Sequence, residues 1–205
     1  QYIVNQRIKW KRLNAITLWT QITNCLMKYM NYEEMTVKNL FIEENGAYSI
    51  DCKAAVWATD KIHEDYHNAG IHINDVDFMI ENSTHIFMVE YKNACLASAK
   101  NPEAFHPMED KKISIITRKF YDSLHYLRLL DKNKPVWYIY ILEYPNGDVT
   151  TRKRLRNRLK MELPFSLQKN IGNGKRLIDR VDVLSIDEWN ADSQCGNFPV
   201  KRVLQ

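Results

Sequence analysis

The clearest alternation of apolar and polar positions runs from Ile73 to Ala94, I-N-D-V-D-F-M-I-E-N-S-T-H-I-F-M-V-E-Y-K-N-A. Val76, Phe78 and Ile80 alternate with Asp75, Asp77 and Met79; Ile86, Met88, Glu90 and Lys92 alternate with Phe87, Val89 and Tyr91. A period of two on both arms predicts two strands, with Asn82 to His85 as the turn between them. With Ser83-Thr84 at the tip, antiparallel register sets Asp77 opposite Glu90 and Asp75 opposite Lys92, all on one face.

Other stretches change period. Ile8, Leu13, Ile16, Ile22, Leu26 and Met30 predict a helix over Arg7 to Met30, opened by a basic run. Lys38 to Glu44 reads as a short strand turning at Asn45-Gly46 into a second one over Ala47 to Cys52. Lys53 to His67 shows no decisive period, and Cys95 to Asp110 reads as a loop broken by Asn101-Pro102 and His106-Pro107. Ile113, Ile116, Phe120, Leu124, Leu127 and Leu130 predict an amphipathic helix of about five turns. Val136 to Glu143, V-W-Y-I-Y-I-L-E, reads as a strand buried on both faces. Thr150 to Leu163 predicts a helix ended by Pro164, and Val181 to Ile186 a last strand with a turn or short helix after it. Hairpin, long helix and buried strand in that order predict an α/β domain, a mixed central β-sheet flanked by helices.

Composition sets bounds on this picture. A chain of 205 residues, 45% hydrophobic and 26% charged, can bury a core as one globular domain. No 18-residue apolar span or cleaved signal peptide is legible, and Cys25, Cys52, Cys95 and Cys195 form no C-x-x-C pair, so a soluble, reduced, cytoplasmic protein with no membrane partner is expected. The net charge of +4 suits a nucleic-acid partner without requiring one.

The hairpin carries the chemistry. Two carboxylates facing each other repel unless a cation answers them. A hard cation such as Mg²⁺ takes oxygen ligands and waters, and Asp77, Glu90 and the Tyr91 backbone carbonyl supply such oxygens. Asp77-Phe78-Met79-Ile80, nine further residues, then Glu90-Tyr91-Lys92 on a strand resembles the PD-(D/E)XK nuclease superfamily. The resemblance covers Lys38 to Glu143, with Val76 where the family usually carries Pro. It implies a restriction-endonuclease-like core and metal-dependent hydrolysis of phosphodiester bonds, with DNA as the expected substrate. Asp77 and Glu90 would then hold Mg²⁺ or Mn²⁺ and Lys92 would assist the water, with Asp75 and Glu81 as lesser candidates and Glu64 as the acid from a preceding helix. The implied organisation is a helical extension over 1–37, the core over 38–143, and basic and C-terminal additions over 144–205. Cutting both strands would favour a homodimer. Arg152, Arg156 and Lys160 fall at i, i+4 spacing on the most basic helix and are candidates for tracking a phosphate backbone.

Three other readings compete. A bare Asp…Glu-x-Lys pattern is weak, and the alternative for the same hairpin is a solvated face with surface ion pairs. A non-catalytic nucleic-acid or protein-binding module on the same fold needs no hydrolysis. His63-Glu64-Asp65-Tyr66-His67 matches H-E-x-x-H, which on a helix would give two zinc ligands and a general base. Against that zinc hydrolase stand Asp65 inside the motif, the polar surroundings, and His72 lying one residue short of the third-ligand position of the metzincin pattern. Gly172-Asn173-Gly174-Lys175 lacks the spacing of a phosphate loop.

Overall fold

The computed structural model describes residues 40–96, 99 and 101–203, all within one compact unit, Val37–Gln205. The helix expected over Arg7 to Met30 lies outside the described residues. Among the described residues eight strands form two sheets. The larger is mixed, in the order β3 (Trp57–Thr59), β4 (Phe78–Glu81), β5 (Ile86–Asn93), β6 (Val136–Glu143) and β7 (Ile178–Leu184). β3 pairs antiparallel with β4 and β4 with β5, whereas β5, β6 and β7 run parallel. The smaller sheet joins β1 (Leu40–Ile42), β2 (Tyr48–Asp51) and β8 (Val200–Arg202). Parallel neighbours need crossovers: helix α2 (Asp110–Leu129) bridges β5 to β6, and α3 (Val149–Glu162) with α4 (Phe165–Ile171) bridges β6 to β7. α1 (Ile62–Asn68) follows β3, and α5 (Ile186–Ala191) leads from β7 towards β8.

The alternation along the central strands sorts the core into two layers. Met79, Met88, Tyr138, Tyr140 and Leu142 face α2 and α3 and pack with Ile113, Ile116, Phe120, Leu127, Leu155 and Leu159. Phe78, Ile80, Phe87, Val89, Ile139 and Ile141 face the small sheet and pack with Phe41, Ile50, Trp189 and Phe198. β6 is thus covered on both sides, which explains its near-continuous apolar run. Tyr138 is fully buried, and its hydroxyl donates to the Ile116 carbonyl at 2.7 Å, tying the strand to α2.

Several expectations need correction. The first hairpin arm pairs only from Phe78; Asp75 to Asp77 precede the strand. β3 reaches no further along β4 than Thr59 opposite Met79, so among the described residues no strand flanks that segment on the β3 side. β7 is hydrogen-bonded to β6 and β8 completes the small sheet, so residues after Glu143 build both sheets rather than append to them. β7 is therefore not the last strand. The three-residue β8 and the seven-residue α4, which has no buried residue, carry too little periodicity to be read in advance.

Candidate active site at the end of the β4–β5 hairpin

The turn sets the site. Asn82 donates its amide to the His85 carbonyl, while its side-chain oxygen accepts from the amides of Thr84 and His85 at 2.8 and 2.7 Å. This Asx arrangement locks the register at Phe78 opposite Val89, Met79 opposite Met88 and Ile80 opposite Phe87. The next step of that register places Asp77 against Glu90, as the hairpin reading expects. There β4 has left the ladder, and the Asp77 carboxylate takes over: its Oδ2 accepts the Tyr91 amide at 2.7 Å. In a strand the N–H and C=O of one residue point to the same edge, so the Tyr91 carbonyl also faces the Asp77 side.

The cation between the acids comes from another element. Lys119 of α2 places its ammonium 2.7 Å from Glu90 Oε2 and 3.7 Å from Asp77 Oδ1. Asp75, Asp77, Glu90, Tyr91, Lys92, Asn93 and Lys119 line one cavity of about 550 Å³. Glu43, Glu44 and Asn45 form one wall and Asp60 and His63 another. The β1–β2 turn that makes the first wall is held by the buried Glu43 carboxylate, which accepts from the amides of Asn45, Ala47 and Tyr48. His63 Nδ1 lies 3.1 Å from Asp75 Oδ1.

Glu90 is only 9% exposed, and burial, followed by the charge of Asp77, pushes its carboxyl up to about 8 against the pull of Lys119. Asp77 is raised by burial too, with the Lys119 charge and the Tyr91 amide opposing the rise. The Lys119 ammonium is raised, the two carboxylates outweighing its own desolvation. The protein groups alone thus give two carboxyl groups with ionisation disfavoured and one ammonium with ionisation favoured.

The other candidates stand apart. Lys92 lines the cavity but is exposed at its mouth. Glu81 sits at the far end of β4, buried between Lys132 and Lys134, and takes no part in the cavity. Glu64 pairs with Lys61 on the exposed side of α1 and is not among the residues that line the cavity. His63 and His67 do share a helix face, with ring centroids 6.4 Å apart, but among the described residues no group of three or more His, Cys, Asp or Glu is placed to hold a metal ion. Arg152 departs most from expectation. It lies three residues before Leu155 and shares the buried face of α3, 7% exposed, donating to Glu188 Oε2 at 2.7 Å and to the Gly147 carbonyl at 2.8 Å. Arg156 reaches Asp182 at 3.8 Å, and the Lys160 ammonium lies over the Phe165 ring. The basic side chains that α3 turns outward include Lys153, Arg154 and Lys160.

Lys119 is the residue that sequence reasoning missed. Its signal is an interruption: Ile113, Ile116, Phe120 and Leu127 form the buried stripe of α2, and Lys119 and Ser123 lie within that stripe. A lysine that cannot escape to solvent needs an anionic partner. No protein-family model, curated protein or solved structure matches the chain, so the reading of this site rests on its own geometry.

Proposed function

We propose that the chain is a metal-dependent nuclease of PD-(D/E)XK type, hydrolysing phosphodiester bonds, with DNA as the expected substrate and Mg²⁺ or Mn²⁺ as the cation. The observation that carries this reading is the meeting of Asp77, Glu90 and Lys119 where β4 leaves the sheet beside the Tyr91 backbone. Strand order adds support, since an antiparallel hairpin, a crossover helix and a parallel buried strand follow one another as that superfamily's core requires.

The donor set fits a hard cation. Asp77, Glu90 and the Tyr91 carbonyl offer oxygen only, and Mg²⁺ commonly uses one or two carboxylates, keeps several waters and takes substrate phosphate oxygens. A set of two carboxylates is therefore sufficient for it, although too small for an all-protein cage. When bound, the cation supplies Lewis-acid polarisation of the phosphate. The chain's own residues do the rest. The Tyr91 amide fixes the Asp77 carboxylate, and Lys119 balances charge beside Glu90. Lys92, exposed in the cavity lining, would meet the phosphate or orient the attacking water.

One observation favours a second reading. The 2.7 Å Lys119–Glu90 contact gives Glu90 a counter-charge without any metal, which suits a non-catalytic binding module. Cleavage of plasmid, linear duplex and single-stranded DNA with Mg²⁺ or Mn²⁺ separates the two. The nuclease reading expects cutting by the wild type and a loss on the order of 10²–10³-fold in Asp77→Ala and Lys92→Ala. Absence of metal-dependent cutting on every substrate, with RNA included, would leave the binding module standing.

A further inference from the structure

The arm that carries Asp75 and Asp77 belongs to neither sheet, since residues 71–77 lie in no strand or helix. β3 has ended and α1 intervenes, yet Val76 is 1% exposed, so water cannot satisfy its amide. Helix α2 takes over. Asn74 donates its amide to Asp122 Oδ2 at 3.0 Å, and Val76 donates its amide to Ser123 Oγ at 3.0 Å. Ser123 is fully buried and is the polar member of the α2 stripe beside Lys119. The held amides fall at positions 74 and 76, and the carboxylates at 75 and 77 line the cavity. One turn earlier on the same helix, Lys119 meets Glu90 and Asp77.

We infer that Asp122 and Ser123 are positioning residues of the site, whose side chains hold the Asn74–Val76 backbone so that Asp75 and Asp77 stand against Glu90 and Lys119. One helix thereby sets both the cation and the arm it answers. A register fixed only by the β4–β5 ladder would leave Asp77 beyond the last strand pair, free to swing. The consequence for catalysis rests on the nuclease reading; the placement of Asp77 does not, and the two are measured separately.

Placement is read by amide hydrogen exchange. The Tyr91 amide depends on Asp77 Oδ2, so Ser123→Ala and Asp122→Ala should speed its exchange about tenfold or more while β6 amides keep their protection. Asp122→Asn retains an oxygen acceptor for the Asn74 amide and should restore wild-type exchange. Unchanged protection at Tyr91 in both alanine variants, or equal acceleration in Asp122→Asn and Asp122→Ala, overturns the inference. Function is read as kcat per folded molecule in the Mg²⁺ assay, where displacement of a reacting group by about 1 Å costs on the order of 10²-fold. Both alanine variants should lose kcat to that degree with little change in KM, and Asp122→Asn should recover it. Faster Tyr91 exchange in a chain whose wild type never cuts would uphold the placement and reject the nuclease reading. Intact kcat in the alanine variants of a cutting enzyme would reject the positioning role.

Discussion

Replacing Lys119 by methionine keeps an unbranched stem beneath α2 and removes the charge between Glu90 and Asp77. In the wild type Glu90 is pushed up to about 8 by burial first and Asp77 second, whereas an unfolded glutamate titrates near about 4.3. A carboxyl whose midpoint is raised by folding favours the native state at low pH. That advantage, complete below the unfolded midpoint, is lost as pH rises towards the folded one. In the wild type the loss stops near pH 8, where Glu90 ionises beside Lys119. Without the ammonium the folded midpoint moves higher, and the variant keeps losing about 1.4 kcal/mol per pH unit above pH 8. Asp77, raised by burial and held back by Lys119, adds in the same direction. Lys119 itself is raised above its ordinary range, so it stays charged throughout this window. Urea unfolding of both proteins in chelator-treated buffer at roughly pH 6 and pH 9.5 measures the effect. The penalty of Lys119→Met should be larger at the higher pH by about 1–2 kcal/mol. An equal penalty at both values, or a smaller one at high pH, would refute the coupling of Lys119 to the two acids.

Two further outcomes follow from the same geometry. Under the nuclease reading a metal must meet an ionised Glu90, so Mn²⁺ affinity measured by calorimetry should climb by up to about tenfold per pH unit below pH 8 and level off above it; affinity independent of pH would count against Glu90 as a ligand. Arg152→Met takes the guanidinium from Glu188 and the donor from the Gly147 carbonyl at a helix junction and should cost about 1–3 kcal/mol by urea unfolding; under the same nuclease reading it should leave the salt dependence of DNA binding unchanged, Lys153→Ala should do the reverse, and an exchange of these two behaviours would return Arg152 to the proposed nucleic-acid face.

Local pattern was enough where one element decides the outcome. The turn at Asn82–His85 and the alternation on its arms set the hairpin register, and with it the approach of Asp77 to Glu90. The β6 run and the α2 stripe were legible because burial on both faces of a strand and on one face of a helix each impose a period. Lys119 was hidden for a different reason. It stands 29 positions from Glu90, and only the packing of α2 across β5 brings them together. Arg152 was misplaced because charge alone argued for solvent, whereas its spacing to Leu155 put it on the buried face and Glu188 made that tolerable. The partners of Ser123 and Asp122 are backbone amides, which no side-chain pattern records.

The small sheet carries a consequence for how the protein comes into being. The wall formed by Glu43, Glu44 and Asn45 hangs from β1 and β2, and β2 is clasped on its other edge by β8, with the Val203 amide donating to the Ala47 carbonyl at 2.9 Å. All the acids and the lysines of the cavity have been synthesised once Lys119 leaves the ribosome, but β8 follows roughly 80 residues later, about 4–16 s at ordinary elongation rates. During that interval a nascent chain owns the acids and lysines of the cavity without β8 beside β2. The outer edge of β2 thus waits on translation of one of the last described segments, and a message cut short before Val200 would yield a chain whose β1–β2 wall lacks its β8 partner.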